Sequence, residues 1–96
     1  MEAERGIVDI ASLITSDRRR LLASPKAGLA SYRLFELLPM MPRFSIDRVR
    51  QALDTTFPTA NAAVAALQDL GIVTELTGQK KNRTYGYQSY IERLAR

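Results

Sequence analysis

The sequence predicts a mainly α fold with a small β-hairpin, and three observations lead to this prediction. Apolar residues recur with the helical period along four stretches of the chain. The third and fourth stretches are separated only by a short turn that carries helix-capping residues. Two short β-prone runs follow, with the turn-forming Gly78 and Asn82 between them. This order is that of a winged helix-turn-helix preceded by a long N-terminal helix.

One domain, residues 1–96, accounts for the whole sequence, because a chain of 96 residues is large enough for a single hydrophobic core. Hydrophobic residues make up 46% and charged residues 25%, which indicates a globular protein rather than a disordered or collagen-like one. No apolar run approaches the roughly 18 residues of a membrane-spanning helix. Acidic residues stand where a signal peptide has basic ones. We therefore expect a cytoplasmic protein with no membrane partner.

The sequence contains no cysteine and no histidine. Disulfides and thiolate metal sites are therefore excluded, and the commonest general base and metal ligand is missing. No nucleophile, base and orienting group can be assembled from the remaining residues. We expect no enzymatic activity, no cofactor and no metal site.

The first helix is predicted within residues 1–24. Its apolar residues share one helical face, and its polar turn, residues 16–20, is expected to be a solvated face. The apolar stripe is longer than so small a domain is expected to cover, which makes this helix a surface for a partner or for a homodimer. The residues of the stripe are Ile7, Ile10, Ala11, Ile14 and Leu21, with Val8, Leu13 and Leu22 at its edges.

A second helix is predicted over residues 27–38, after a break at Pro25. Its apolar residues are dense enough to predict burial of most of the helix surface. Met40 and Met41 follow it and are expected to contact the edge of the core. The apolar residues are Leu29, Ala30, Leu34, Phe35, Leu37 and Leu38.

The helix-turn-helix is predicted over residues 45–71. Ser45 is the expected N-cap of its first helix and Thr56 that of its second. Pro58 falls in the first turn of the second helix, where its missing amide hydrogen costs little. Gly71 follows the last apolar residue and is expected to end that helix.

The second helix of such a motif lies in the major groove of DNA and reads base edges. Asn61 and Gln68 have the side-chain amides that pair with adenine, and Thr59 can bind a phosphate or a base. The other outward residues, Ala62 and Ala65, supply no hydrogen bond. Because no lysine or arginine is available for guanine, we expect weak sequence discrimination.

The hairpin, or wing, is predicted over residues 72–87, with a short terminal helix over residues 88–95. The last 21 residues carry five basic side chains and one acidic, which accounts for the net charge of +4. Lys80, Lys81 and Arg83 crowd the tip of the wing and are expected to bind phosphates. The alternative is that these charges only keep the tip solvated.

The C-terminal half resembles the winged-helix domain found at the C-terminus of many Fic family proteins. The resemblance implies an accessory or regulatory module, with a role in transcription regulation. Fic enzymes transfer AMP or a related group through a signature of the form HPFxxGNGR, whose histidine is absent here. One residue departs from the pattern: Thr55 stands where a valine is common. The matching residues are Thr59-Ala60, Leu67, Leu70-Gly71-Ile72, Thr77-Gly78, Asn82-Arg83, Tyr85, Tyr87, Tyr90 and Leu94.

Two hypotheses about function follow from these patterns. In the first, the chain binds double-stranded DNA through the recognition helix and the wing. In the second, it is a protein interaction or dimerisation module without DNA binding. Its partner would be a Fic catalytic core, a target protein, or a second copy bound through the N-terminal helix.

Overall fold

The computed structural model describes residues 2–95, with the side chains of residues 9–95, and it confirms the mainly α class with a small antiparallel sheet. Each predicted helix is present, and the hairpin follows the third and fourth predicted helices in the expected order. The elements are α1 (Glu2–Ala23), α2 (Leu29–Leu37), β1 (Arg43–Ser45), α3 (Ile46–Leu53), α4 (Phe57–Asp69), β2 (Thr74–Glu75), β3 (Thr84–Gly86) and α5 (Gln88–Leu94).

Strand β1 was not predicted, and it turns the two-stranded wing into a three-stranded sheet. The strand order is β1-β3-β2, with both neighbours antiparallel to β3. Phe44 lies opposite Tyr85 in the register, and the two buried rings stack with centroids 6.1 Å apart. A strand of three residues directly after Pro42 has no alternating pattern to recognise, because its partner lies far along the chain. The root of the wing is thereby fixed to the segment that begins α3.

The core lies between α2, α3 and α4 and is closed by the sheet. Leu34, Leu53 and Leu67 are each buried there. Two predictions for the α2 region are wrong: Leu29 is 73% exposed and Met40 is 81% exposed, whereas Met41 is buried as expected. Leu29 begins α2 and Met40 lies in the turn beyond it, so the packing of the helix does not reach either side chain.

The predicted N-caps of the helix-turn-helix are confirmed. The Ser45 hydroxyl accepts a hydrogen bond from the Arg48 amide at 3.1 Å, and the Thr56 hydroxyl accepts one from the Thr59 amide at 3.3 Å. Pro58 lies in the first turn of α4, as predicted. Because these caps satisfy amides that have no partner within the helix, they fix where α3 and α4 begin.

Both helices of the motif end in a left-handed residue. Gly71 has φ 73° and follows α4, while the Ile72 amide donates to the Leu67 carbonyl at 3.0 Å, as in a Schellman motif. At the end of α3 the left-handed position, with φ 51°, is occupied by Asp54 instead of glycine. Asp54 therefore carries a backbone penalty and places a negative charge at a helix C-terminus.

Replacing Asp54 with glycine is expected to raise the free energy of unfolding by about 0.5–1 kcal/mol, because both of these costs are removed. Asp54→Asn should give a smaller gain, since asparagine removes only the charge. Urea denaturation of the two variants beside the wild type measures the difference. A loss of stability in Asp54→Gly would show that the carboxylate makes a contact that outweighs the backbone penalty.

Helix α1 packs its apolar face on the body of the domain. Leu21 is buried in the core, and Leu13 and Ile14 are half-buried against it. Leu13, Ile14 and Leu21 are thus used within the domain, whereas Ala11 and Leu22 are exposed. The side chains of Ile7 and Val8 lie outside the described residues, and a homodimer through this helix stays a prediction. No helix within residues 2–95 has both the length and the apolar character that a membrane span requires.

The polar turn of α1 is not the solvated face that was expected. Asp17 is only 6% exposed, and it accepts hydrogen bonds from the Tyr87 hydroxyl at 2.6 Å and from Arg20 at 2.9 Å. Arg18 forms a bidentate ion pair with Glu36 of α2 at 2.8 and 2.9 Å. Successive residues of a helix point in different directions. The sequence alone could therefore not show that Asp17 and Arg18 contact other elements of the domain.

Arg20 extends this polar network to the end of α4. Besides Asp17, its guanidinium donates a hydrogen bond to the carbonyl of Leu70, the residue after the last turn of α4. That carbonyl lies among those left without a partner at a helix C-terminus. Asp17, Arg20 and Tyr87 thus connect α1, the C-terminal end of α4 and the end of the wing, and they hold α4 in its orientation.

Candidate nucleic-acid interface

A groove of about 430 Å³ lies between the N-terminal turns of α3 and α4 and the wing. Both helices reach it with their first turns, whose starting points are fixed by the Ser45 and Thr56 caps. The wing reaches it because β3 is held in the middle of the sheet. The groove is lined by Ser45, Ile46, Asp47, Phe57, Asn61, Lys80, Asn82, Arg83 and Tyr85.

Three of the six predicted DNA-binding residues, Asn61, Lys80 and Arg83, are brought together in this groove. Thr59 is not among them and lies in a second groove, of about 340 Å³, between α2 and α4 beside Lys26. The reason is helical geometry, since residues two apart on a helix point about 160° away from each other. Asn61 and Thr59 therefore flank the exposed ridge of α4 on opposite sides.

Gln68 and Lys81 lie outside both grooves and are exposed. Gln68 is seven residues after Asn61, so it falls on the same side of α4, about 10 Å farther along the helix axis. Ala62 and Ala65 occupy the exposed ridge near them. Asp69, one turn after Ala65, is also exposed, so the ridge carries a carboxylate besides the amides of Asn61 and Gln68.

The lysines and the arginine of the wing differ in whether their side chains make contacts within the domain. Lys80 and Lys81 make no ion pair or hydrogen bond with any residue that the structure describes. Arg83 donates from Nε to the Gln79 carbonyl at 2.5 Å, which ties its side chain to the backbone of the tip. The two lysines are thus available for phosphates, while part of Arg83 braces the wing.

The carboxylate of Glu75, which was not predicted as a site residue, holds the backbone at the start of the wing tip. Glu75 accepts hydrogen bonds from the Gly78 amide at 2.6 Å, from the Thr77 hydroxyl at 2.9 Å and from the Thr77 amide. The Gly78 amide is the main cause that lowers the pKa of Glu75, with further contributions from Thr77 and the charge of Arg83. The tip also needs the left-handed backbone of Gly78 and Asn82, with φ 67° and 54°.

Acid is expected to loosen the wing tip before it unfolds the domain. Because the pKa of Glu75 is lower in the folded chain, its contribution to stability is present above the ordinary glutamate pKa. It is lost as the pH falls through the lowered folded pKa. Glu75→Gln, which removes the charge at every pH, should show faster hydrogen exchange at the Gly78 amide near neutral pH.

NMR titration of the Glu75 carboxyl carbon and the Gly78 amide measures both effects. A pKa in the ordinary glutamate range, or a Gly78 amide that exchanges equally fast in the wild type and Glu75→Gln, would contradict the bracing role.

The groove contains one acidic residue, Asp47, whose charge opposes anion binding. Its carboxylate accepts hydrogen bonds from Arg50 at 2.9 Å and from Gln51 at 3.2 Å. The ion pair with Arg50 offsets the charge of Asp47. The lysine and arginine of the wing therefore dominate the electrostatic character of the groove.

Phe57 and Asn82 belong to the groove and were not predicted as site residues. Phe57 continues the apolar period of α4, so the sequence pattern alone would place it in the core. It is instead 54% exposed and lines the groove, whereas Ala60, three residues later, is fully buried. Asn82 was identified only as a turn residue, and no signal in the sequence separates that role from a binding role.

Among the described residues, no group of three acidic, cysteine or histidine side chains could hold a metal ion. In comparisons with known proteins, no family model matches the chain, and no curated protein is significantly similar to it. The resemblance to the Fic winged-helix domain therefore stays a prediction, supported by the residues that carry it.

Proposed function

We propose that this chain is a winged helix-turn-helix module that binds double-stranded DNA. In this proposal α4 enters the major groove and the wing lies along the phosphate backbone. The observation that carries it is the groove that brings Asn61 of α4 together with Lys80 and Arg83 of the wing. Lys81 lies near them at the tip, exposed and without a partner among the described residues.

The placement of cations on both sides of α4 supports this orientation. Lys80 and Arg83 lie on the wing side, and Lys26 lies on the α2 side beside Thr59. A helix in the major groove has a phosphate strand on either side, so it requires positive charge on both flanks. Arg18 and Arg20, by contrast, are engaged within the fold.

The chemistry of α4 gives the proposed binding low sequence discrimination. Asn61 can form the bidentate pair with adenine, whereas the exposed ridge has no lysine or arginine for guanine. Most of the affinity then comes from phosphate contacts, which release counterions and are insensitive to sequence. Duplex binding should therefore weaken steeply as salt is raised.

Fluorescence anisotropy with a short duplex at several salt concentrations tests this function, and Ala65→Glu tests the orientation of α4. Ala65 is exposed at the middle of the ridge, so a carboxylate there would face the negatively charged duplex. We expect Ala65→Glu to weaken duplex binding about ten-fold, equivalent to about 1.4 kcal/mol.

Two matched variants control for this change. Ala65→Gln adds the same bulk without the charge and should bind nearly as well as the wild type. Ala11→Glu adds the same charge on the exposed face of α1, away from the proposed interface. The absence of duplex binding at low salt would refute the proposed function. Equal effects of Ala65→Glu and Ala11→Glu would refute the orientation of α4.

We propose further that the chain is related to the C-terminal accessory domain of Fic proteins. The support is the run of residues from Pro58 to Leu94 that resembles that domain. An in-frame HPFxxGNGR region upstream in the gene would support the relation.

A protein-binding function is the second candidate, because the exposed ridge of α4 presents Ala62 and Ala65, which supply no hydrogen bond to a base. Light scattering over a range of protein concentrations tests its self-association form, which a strictly monomeric result would exclude.

A further inference from the structure

Phe57 differs in character from the charged and amide side chains of the groove between α4 and the wing. It is the first residue of α4, and it is 54% exposed. A single exposed apolar side chain is common on protein surfaces, so the meaning of this ring depends on its neighbours. Asn61 follows it by one helical turn, and Lys80, Asn82 and Arg83 line the same groove.

These neighbours combine the three kinds of contact that an unpaired nucleotide uses. Aromatic rings stack on the face of an unpaired base, and positive side chains follow its phosphates. Side-chain amides hydrogen-bond to the exposed edge of such a base. Phe57 can supply the first contact, Lys80 and Arg83 the second, and Asn61 and Asn82 the third.

The size of the groove separates a nucleotide from a duplex. Its volume of about 430 Å³ lies within the range of about 300–1,000 Å³ that is typical of small-ligand sites. One nucleotide can enter a space of that size, whereas a duplex can only lie across its mouth. If only a phosphate backbone were bound in the groove, the ring of Phe57 would stay exposed to solvent.

We infer that the groove binds one unpaired nucleotide of a DNA substrate, with its base stacked on Phe57 and its phosphate bound by Lys80. This inference rests on the proposed function and adds to it the class of DNA that is preferred. DNA with an unpaired end supplies such a nucleotide, while an intact duplex must first unpair one. The chain should therefore prefer duplexes that end in unpaired nucleotides.

The test compares a blunt duplex with a duplex that carries the same number of phosphates but ends in a three-nucleotide overhang. Fluorescence anisotropy at one low salt concentration should show the overhang duplex bound about ten-fold more tightly, as expected for one base stacked on an aromatic ring. Phe57→Ala should abolish this preference, so that the overhang duplex is bound no more tightly than the blunt one. Phe57→Leu, which keeps the apolar bulk but not the ring, should also lose the preference.

Leu29→Ala is the matched control, because Leu29 is a large exposed apolar side chain at the start of α2, outside the groove. It should keep the preference. Equal affinity of the wild type for the two duplexes would overturn the inference and leave the proposed function standing. The same conclusion would follow if Phe57→Ala weakened the binding of both duplexes equally. Failure to bind either duplex would overturn both. A preference that Phe57→Ala retains would also overturn the inference.

Discussion

Replacing Tyr87 with alanine is expected to lower the free energy of unfolding by about 3–5 kcal/mol, the range seen for large aromatic residues removed from a core. Tyr87 is 1% exposed, and its ring lies 6.2 Å from that of Phe35 and 5.6 Å from that of Tyr90. Small domains are held together by only about 5–15 kcal/mol. Much of the Tyr87→Ala chain should therefore be unfolded in mild denaturant, and urea denaturation followed by circular dichroism measures the loss.

Tyr87→Phe isolates the contribution of the hydroxyl. In the wild type the hydroxyl donates to the carboxylate of Asp17 at 2.6 Å. Phenylalanine removes this hydrogen bond, and the buried carboxylate keeps the one from Arg20. The expected cost is about 1–3 kcal/mol, the penalty for a buried polar group that loses a hydrogen bond. A Tyr87→Phe chain as stable as the wild type would show that the Asp17 hydrogen bond contributes nothing net.

The pH dependence gives a second signature of the same hydroxyl. Burial, followed by the hydrogen bond to Asp17, raises the pKa of Tyr87 above its ordinary value of 10.0. A raised folded pKa means that the stabilisation is complete below about pH 10 and is lost as the pH rises above that value. The wild type should therefore lose more stability than Tyr87→Phe in alkaline urea titrations, since only the wild type carries this group.

The network around Tyr87 shows which parts of the fold a sequence pattern can predict. The capping residues Ser45, Thr56 and Gly71 act locally, so their roles could be predicted and the structure confirms all three. The hydrogen bond between Asp17 and Tyr87 joins residues 70 positions apart. The spacing of apolar residues within α1 contains no information about a hydrogen-bond partner so far along the chain. The polar turn was therefore interpreted as solvated.

The same distinction applies to the candidate site. The concentration of positive charge in the wing is a property of composition, and Lys80, Lys81 and Arg83 were predicted from it. Helical geometry separates Thr59 from Asn61, but the groove that each residue lines depends on how α2 and the wing pack on either side of α4. Strand β1 was missed for the same reason, because its three residues gain their conformation from pairing with β3.

The double substitution Lys80→Ala with Lys81→Ala is expected to have the largest effect on DNA binding. Each phosphate contact that is removed lowers the slope of log affinity against log salt by about 0.9, so the slope should fall by about 1.8. The affinity for a duplex at low salt should fall by one to two orders of magnitude. Anisotropy titrations at four or more salt concentrations give both quantities from one set of measurements.

The matched control for these lysines is Arg19→Ala with Arg33→Ala, which removes two positive charges from exposed positions on α1 and α2. If binding depended only on net charge, the two double variants would weaken it equally. If the wing contacts phosphates directly, only the lysine variant should lower the slope, because the number of counterions released depends on the number of phosphates that the protein contacts. An unchanged slope in the lysine variant would remove the wing from the interface and leave the charge at its tip with a role in solvation alone.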